Sequence, residues 1–264
     1  MNLSTLPAAS DSVSALHAYS RILGTIRAAR SEPHPRWWHA SLEIGEAGLE
    51  TGAFPLGDGS TGHLILDPAA GLITGTGVHG PLEVALGGPA AVVGRQTMDR
   101  LGGDFDIDPK RWDVVAVKGF TPSEAANYHI TLKAVRDAIG EFRDGLTGDL
   151  GPVQLWPHHF DVSFEWFSQG VEVYEEEDGP KEYSKQIGFG FSPGDEGEPQ
   201  PYFYANPWPF DESFRTIELP PGASWHGESW SGGFLPYAAL IEGGSDLLFT
   251  FLRAVYEGTQ EALS

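Results

Sequence analysis

Leu16, Tyr19, Leu23 and Ile26 recur at helical spacing, which predicts a helix over about residues 12–30 with one apolar stripe, ended by Pro33 and Pro35. A weaker helical segment, residues 89–101, opens at Pro89 and stops at Gly102 and Gly103. The strongest pattern follows Thr121, Pro122 and Glu124, which read as a capping box with proline in the first turn. Behind it Tyr128, Leu132, Val135, Ile139, Phe142 and Leu146 mark a core-facing helix. A fourth helix starts at Ser245, with Leu248, Phe251, Leu252 and Val255 turned inward.

Between these segments the period falls to two. Trp38, Ala40, Leu42 and Ile44 alternate with Trp37, His39, Ser41 and Glu43, and Phe160, Val162, Phe164 and Trp166 alternate with His159, Asp161, Ser163 and Glu165. Further strands are expected at 63–67, 72–77, 82–86, 113–120, 186–191, 202–206 and 233–238. Strands clustered together, rather than alternating singly with helices, predict an α+β fold with mostly antiparallel sheet and long helices.

The stretch His39–Ile44 aligns with Asp161–Trp166, with Ser and Glu matching on one face. Each stretch is followed by an apolar strand, a Gly-Gly pair and a helix, so two related β-sheet-plus-helix lobes are expected within one compact domain, residues 1–264. Residues 31–150 would form the N-terminal lobe with its linking helix, and 151–264 an aromatic, acidic C-terminal lobe. The second lobe is enlarged by the acidic insert VEVYEEEDGPKE (171–182) and the loop PGDEGEPQP (193–201). The groove between the lobes becomes the expected site.

Composition narrows the chemistry. With no cysteine, disulfide frameworks, thiolate metal sites and thiol nucleophiles are closed. A formal charge of −21 argues against nucleic acid and anionic membranes as partners and points to a small-molecule ligand, neutral or cationic. No signal-peptide core and no run long enough to span a membrane are present, so a cytoplasmic protein is expected. Residues 151–264 hold 19 acids against 4 bases and 22 of the 31 aromatics, the composition of a cationic or partly apolar ligand site, and equally of an aromatic core under an acidic surface.

Three familiar motifs are discounted. Gly75–Gly80 spells GxGxxG, but Pro81 and the alternating Leu82, Val84 and Leu86 continue as strand where a dinucleotide fold needs a helix. Asp104, Asp106 and Asp108 imitate a calcium loop without its glutamate and fit an exposed edge strand better. No H-E-x-x-H helix occurs.

On PRWWHASLEIGEAGLETGAFP (35–55), GPVQLWPHHFDVSF (151–164), EYSKQIGFGFSPG (182–194), PYFYANPWPF (201–210) and FLPYAALIEGGSDLLFTFLRAVYEG (234–258), in that order, the chain resembles a bacterial domain-of-unknown-function family, number five-nine-nine-six. The resemblance implies that His39, Asp161, Tyr183, Ser184, Tyr204 and Tyr237 occupy the family's polar positions. His158 and His159 depart from its pattern, as does Gln154 where a histidine is more usual. The family brings no activity with it.

On period-two geometry, Asp161 or Glu165 is the candidate general base and His159 or His39 the proton shuttle, in a small-molecule-binding protein that could be an enzyme. Tyr183, Ser184, Tyr204, Trp225, His226 and Tyr237 are candidate ligand-binding groups, the two from ASWHGESWSGG (223–233) as parts of a lid. No cofactor is implied, although His39 or Glu43 with the 159–165 face could hold a divalent metal. Gly188 and Gly190, inside a strand, leave room for a ligand or for a crowded neighbour. The alternative is a non-catalytic module that uses the acidic insert and exposed rings to hold a cationic ligand or a basic partner.

Overall fold

The structure, a computed structural model, describes residues 10–102, 107–112, 115–195 and 197–264. Among these residues two antiparallel sheets with four α-helices give an α+β fold, and the chain divides into two compact units. Residues 6–133 with 154–160 form the N-terminal unit; residues 134–153 with 161–264 form the C-terminal unit.

In the N-terminal unit α1 (Asp11–Arg30) starts at Ser10, whose side chain accepts from the Val13 amide at 3.4 Å, and its stripe of Leu16, Tyr19, Leu23 and Ile26 is buried. The strands β1 (Glu43–Ile44), β2 (Leu49–Glu50), β3 (Phe54–Pro55), β4 (Thr61–Asp67), β5 (Leu72–Gly77) and β6 (Gly80–Ala85) follow, with order β1-β2-β4-β5-β6 and β3 on β4. The GxGxxG sequence is the β5–β6 hairpin, Gly77 facing Gly80 across Val78 and His79. α2 (Ala90–Leu101) carries Gly94 against the buried Trp112, whose ring lies 2.7 Å from where a β-carbon would stand. The short β7 (Asp149–Leu150) belongs to the C-terminal unit, whereas β8 (Gln154–Trp156) belongs to the N-terminal one, where Leu155 bridges Leu42.

Residues 37–44 are not a strand. Trp38–Ala40 is a turn of 3-10 helix entered through Trp37 at φ 61°; Ser41 is extended, Leu42 bridges Leu155, and only Glu43–Ile44 forms a strand. Local contacts outweigh the alternation: His34 stacks on Trp38 at 4.4 Å, Trp37 on His39 at 5.6 Å, and the Ser41 hydroxyl donates to the Trp38 carbonyl at 2.8 Å. The likeness to residues 161–166 therefore extends to conformation only over Ser41–Ile44. Residues 115–120 are also irregular rather than strand, while 113–114 and 103–106, with Asp104 and Asp106 of the calcium-loop look-alike, lie outside the described residues.

α3 (Pro122–Asp144) begins as the capping sequence requires, but the box is relayed. The Thr121 amide donates to Ser12 Oγ at 2.9 Å, and Ser12 Oγ donates to Glu124 Oε2 at 2.8 Å. A buried α1 hydroxyl thus stands between the two groups that normally meet directly.

In the C-terminal unit β9 (Asp161–Glu176), β10 (Gly179–Ser192), β11 (Tyr202–Trp208), β12 (Ser224–His226) and β13 (Gly232–Pro236) form a sheet ordered β12-β13-β11-β10-β9-β7. The strand expected from residue 159 starts at Asp161, because Phe160 takes φ 63° and breaks the alternation. The acidic insert is the distal part of the β9–β10 hairpin, closed by Glu177 and Asp178 with Gly179 at φ 106°. One sheet face packs on the end of α3 and on α4 (Leu240–Leu263): Phe142 meets Phe189 at 5.3 Å, and Trp166 meets Tyr256 at 5.5 Å. Among the described residues no helix is long and apolar enough to cross a membrane.

Because Ser12 serves both ends of the α3 cap, Ser12→Ala and Glu124→Ala should each cost about 1 kcal/mol, and the double variant should cost little more than either single change. Urea unfolding of the three variants measures this; full additivity would mean that the two groups act separately.

Candidate functional site

In the C-terminal unit alternate side chains must serve opposite faces. Val162, Phe164, Ile187, Phe189, Phe191, Phe203, Ala205 and Leu235 are fully buried. The intervening positions form rows on the other face: Ser163, Gly190, Tyr204, Phe234 and Ser224 in one, and Glu165, Gly188 and Asn206 in the next. Asp161 stands at the head of β9 on this polar face.

Tyr204 organises the face. A β-carbon on Gly190 would lie 2.3 Å from Tyr204 Cζ, 2.4 Å from its hydroxyl and 2.8 Å from Ser163 Cβ, so the phenol ring lies across the glycine. The space that Gly190 leaves is filled by this ring, the crowded-neighbour alternative, whereas Gly188 has only Asn206 Oδ1 within reach, at 3.7 Å. The Tyr204 hydroxyl donates to Asp161 Oδ2 at 2.5 Å. Burial first, then the Asp161 charge and this bond, push the Tyr204 phenol well above its usual range, so it remains a protonated donor.

A ring cluster adjoins the pair. Trp230 stacks on His226 at 4.5 Å and, nearly parallel, on Tyr202 at 5.8 Å; its edge faces Tyr204 at 6.2 Å. Phe234 lies 5.0 Å from Tyr202. Glu198 Oε1 approaches His226 Nδ1 at 3.8 Å, and burial raises Tyr202, with Asp195, Asp161 and Glu198 adding to the shift. Carboxylates and ring faces thus share one side of one sheet.

Of the residues singled out from the sequence, Asp161, Glu165, Tyr204 and His226 are on or beside this face. Trp225 alternates with His226 and instead braces residues 210–217, donating to the Ile217 carbonyl at 3.0 Å and meeting Phe210 edge-on at 5.9 Å. Tyr237 is core: it is buried between Phe203 and Phe191, and burial pushes its phenol up to about 12. Tyr183 and Ser184 lie farther out on β10, where the exposed Tyr183 hydrogen-bonds Glu176. Trp230, from the same glycine-bounded loop as His226, joins the residues of this face, whereas Tyr202 and Phe234 were not singled out, although Tyr202 and Tyr204 have strand spacing.

His39 and His159 belong to the N-terminal unit. His39 Nδ1 accepts from the His34 amide at 3.0 Å, which fixes its ring in the Trp37–Ala40 turn. His159 sits beside His158 at 4.5 Å, ahead of Phe160, whose ring stacks between His17 at 5.2 Å and Tyr128 at 5.9 Å. Burial, followed by the Arg21 charge and His159, lowers His17 to about 4. Among the described residues no group of three or more His, Asp or Glu is arranged to hold a metal ion. Two shallow grooves, one along Asp246–Glu257 and one along Arg136–Asp144 with Pro152 and Val153, are lined by none of these residues.

The model of DUF5996, a family of unknown function, matches residues 3–263, and the chain belongs to that family. No curated protein and no solved structure matches it.

Gly190→Ala should force the Tyr204 ring aside and cost about 1–3 kcal/mol, whereas Gly188→Ala should stay within about 1 kcal/mol. Urea unfolding of this pair separates a ring-filled position from an open one. The His17 proton gives a second expectation. The folded chain binds it near 4 and the unfolded chain near 6.5, so the neutral ring's contribution is complete above 6.5 and is lost as pH falls toward 4. The loss should reach about 3 kcal/mol. His17→Gln should flatten stability between pH 7 and 4.5 by about 2.5 kcal/mol relative to the parent, since the last part of the loss falls below pH 4.5; equal slopes would contradict the assignment.

Proposed function

We propose that this chain binds a small neutral or cationic organic molecule on the polar face of its C-terminal sheet. Asp161 and Glu165 accept its hydrogen bonds, and Tyr202, Trp230 and Phe234 offer it ring surface. The observation that carries this reading is the Tyr204 ring laid across Gly190 with its hydroxyl on Asp161, next to the Tyr202–Trp230–His226 stack. A half-buried carboxylate oriented by a permanent donor is prepared to meet a ligand's N–H or O–H without rearranging, and adjacent ring faces favour a flat or cationic body. The excess of acids in residues 151–264 disfavours anions throughout.

The Asp161–Tyr204 pair also favours a second reading, an enzyme in which Asp161 exchanges a proton with the bound molecule while Tyr204 orients it. Deuterium incorporation into the molecule in heavy water, followed by NMR, distinguishes this from binding alone.

Thermal-shift measurements with choline, agmatine, glucose and citrate test the primary reading. At least one cationic or neutral compound should raise Tm and quench Trp230, and citrate should do neither. Asp161→Asn should weaken the response about tenfold or more, as expected for loss of a charged acceptor. Equal responses to citrate, or an unaltered affinity in Asp161→Asn, would overturn it.

A further inference from the structure

The β9–β10 hairpin outruns its neighbours. β7 pairs with β9 only at Trp166 and Phe167, and the pairing of β11 with β10 ends at Gln186 opposite Trp208. Beyond them Val171–Glu176 and Gly179–Ser184 pair only with each other among the described residues, a ribbon about 20 Å long. Two strands alone are marginal in water, and this pair also keeps large apolar side chains in solvent: Val171 is 44% exposed, Val173 55%, Tyr174 46% and Tyr183 41%. Tyr174 is nonetheless ordered by its stack on Trp208 at 5.9 Å and its edge contact with Tyr183 at 5.9 Å.

Charge decides what fits such a ribbon. Residues 171–185 hold six acids and two lysines. Both lysines are engaged within the hairpin, Lys181 with Glu176 and Lys185 with Glu172 at 3.8 Å. Among the described residues Glu175, Glu177, Asp178 and Glu182 have no ion pair. A second copy approaching the same edge would bring the same excess of carboxylates, which protects the edge against self-pairing. A basic chain would meet complementary charge on an edge with unused backbone groups and with apolar side chains on its surface.

We propose that the distal β9–β10 hairpin is a docking surface for an extended, lysine- or arginine-rich segment of a partner polypeptide, which adds as a strand along β10 at residues 181–185, in line with β11. The carboxylates select the partner, and Tyr183 on β10, with Tyr174 on the same face of the ribbon, supplies the area that binding buries, while Val171 and Val173 stand on the opposite face of β9. This surface is independent of the Asp161–Tyr204 face.

A fluorescein-labelled peptide of four Lys-Val repeats tests it by anisotropy, against peptides of four Glu-Val and four Lys-Pro repeats. Only the Lys-Val peptide should bind, with amide-exchange protection at residues 181–185 and affinity falling about fivefold or more between 50 and 300 mM salt. The combined variant Glu175→Gln, Glu177→Gln, Asp178→Asn and Glu182→Gln should bind at least about tenfold more weakly with unchanged Tm. Should this variant not fold, Tyr174→Ala with Tyr183→Ala should weaken the peptide by a similar factor. Equal binding of the Lys-Pro peptide, protection elsewhere, or no binding at all overturns the proposal. The choline, agmatine and glucose responses of the neutralised variant should match the parent's, so failure here is distinguishable from failure of the small-molecule reading.

Discussion

The pleat of the C-terminal sheet is the constraint from which its site and its surface follow. Each strand gives every second side chain to the core, and in β9, β10, β11 and β13 those positions carry large rings and aliphatics that α3 and α4 can cover. A one-residue slip would bury Asp161, Glu165 and Asn206 against Phe142 and Tyr256, at the desolvation cost of several polar groups, so the register is held firmly. Once it is held, Ser163, Gly190 and Tyr204 must stand in one row, and the ring of the third can only lie down where the second has no side chain. The tyrosine–aspartate contact is thus a product of burial on the opposite face as much as of local chemistry.

How much of this the sequence disclosed depended on which force governed each segment. Long-range burial imposes a period, and the α1 stripe and the strands β4, β5, β9, β10 and β11 were legible from it. Where short-range contacts govern, periodicity misleads. Residues 37–41 alternate as a strand would, yet ring stacks at separations of two and four residues and a histidine accepting a backbone amide bend them into a turn. Phe160 keeps the apolar phase of β9 while its backbone leaves the extended region, which a hydropathy pattern does not record. The Thr121 cap was readable, but its relay through Ser12 was not, because the hydroxyl comes from 109 residues away.

The candidate site was legible to a similar degree. Asp161, Glu165 and Tyr204 are polar groups at alternating positions of apolar strands, a conflict with burial that a sequence displays openly. Tyr237 and Trp225 illustrate the reverse: amphipathic rings count equally well as core or as surface until partners are known, and here Phe203 and Phe210 claim them. The same ambiguity concealed Tyr202. His159 was placed on the β9 face by extrapolating the alternation through Phe160, one residue beyond where it holds.

Acidity has two different physical meanings in this unit. On the distal hairpin the carboxylates of Glu175, Glu177, Asp178 and Glu182 belong to a ribbon largely open to water, where their field reaches outward but is screened within about 8 Å at physiological ionic strength. They can attract and sort a partner, and they add little to any single contact. Asp161 is half-buried under a phenol that burial keeps protonated, so its charge is poorly screened and its geometry is fixed in advance of the proposed ligand. In the proposed readings one group of acids therefore acts through long-range attraction and the other through a preorganised contact. Salt would silence the first while leaving the second nearly intact, and this difference follows from burial, since the side chains are the same.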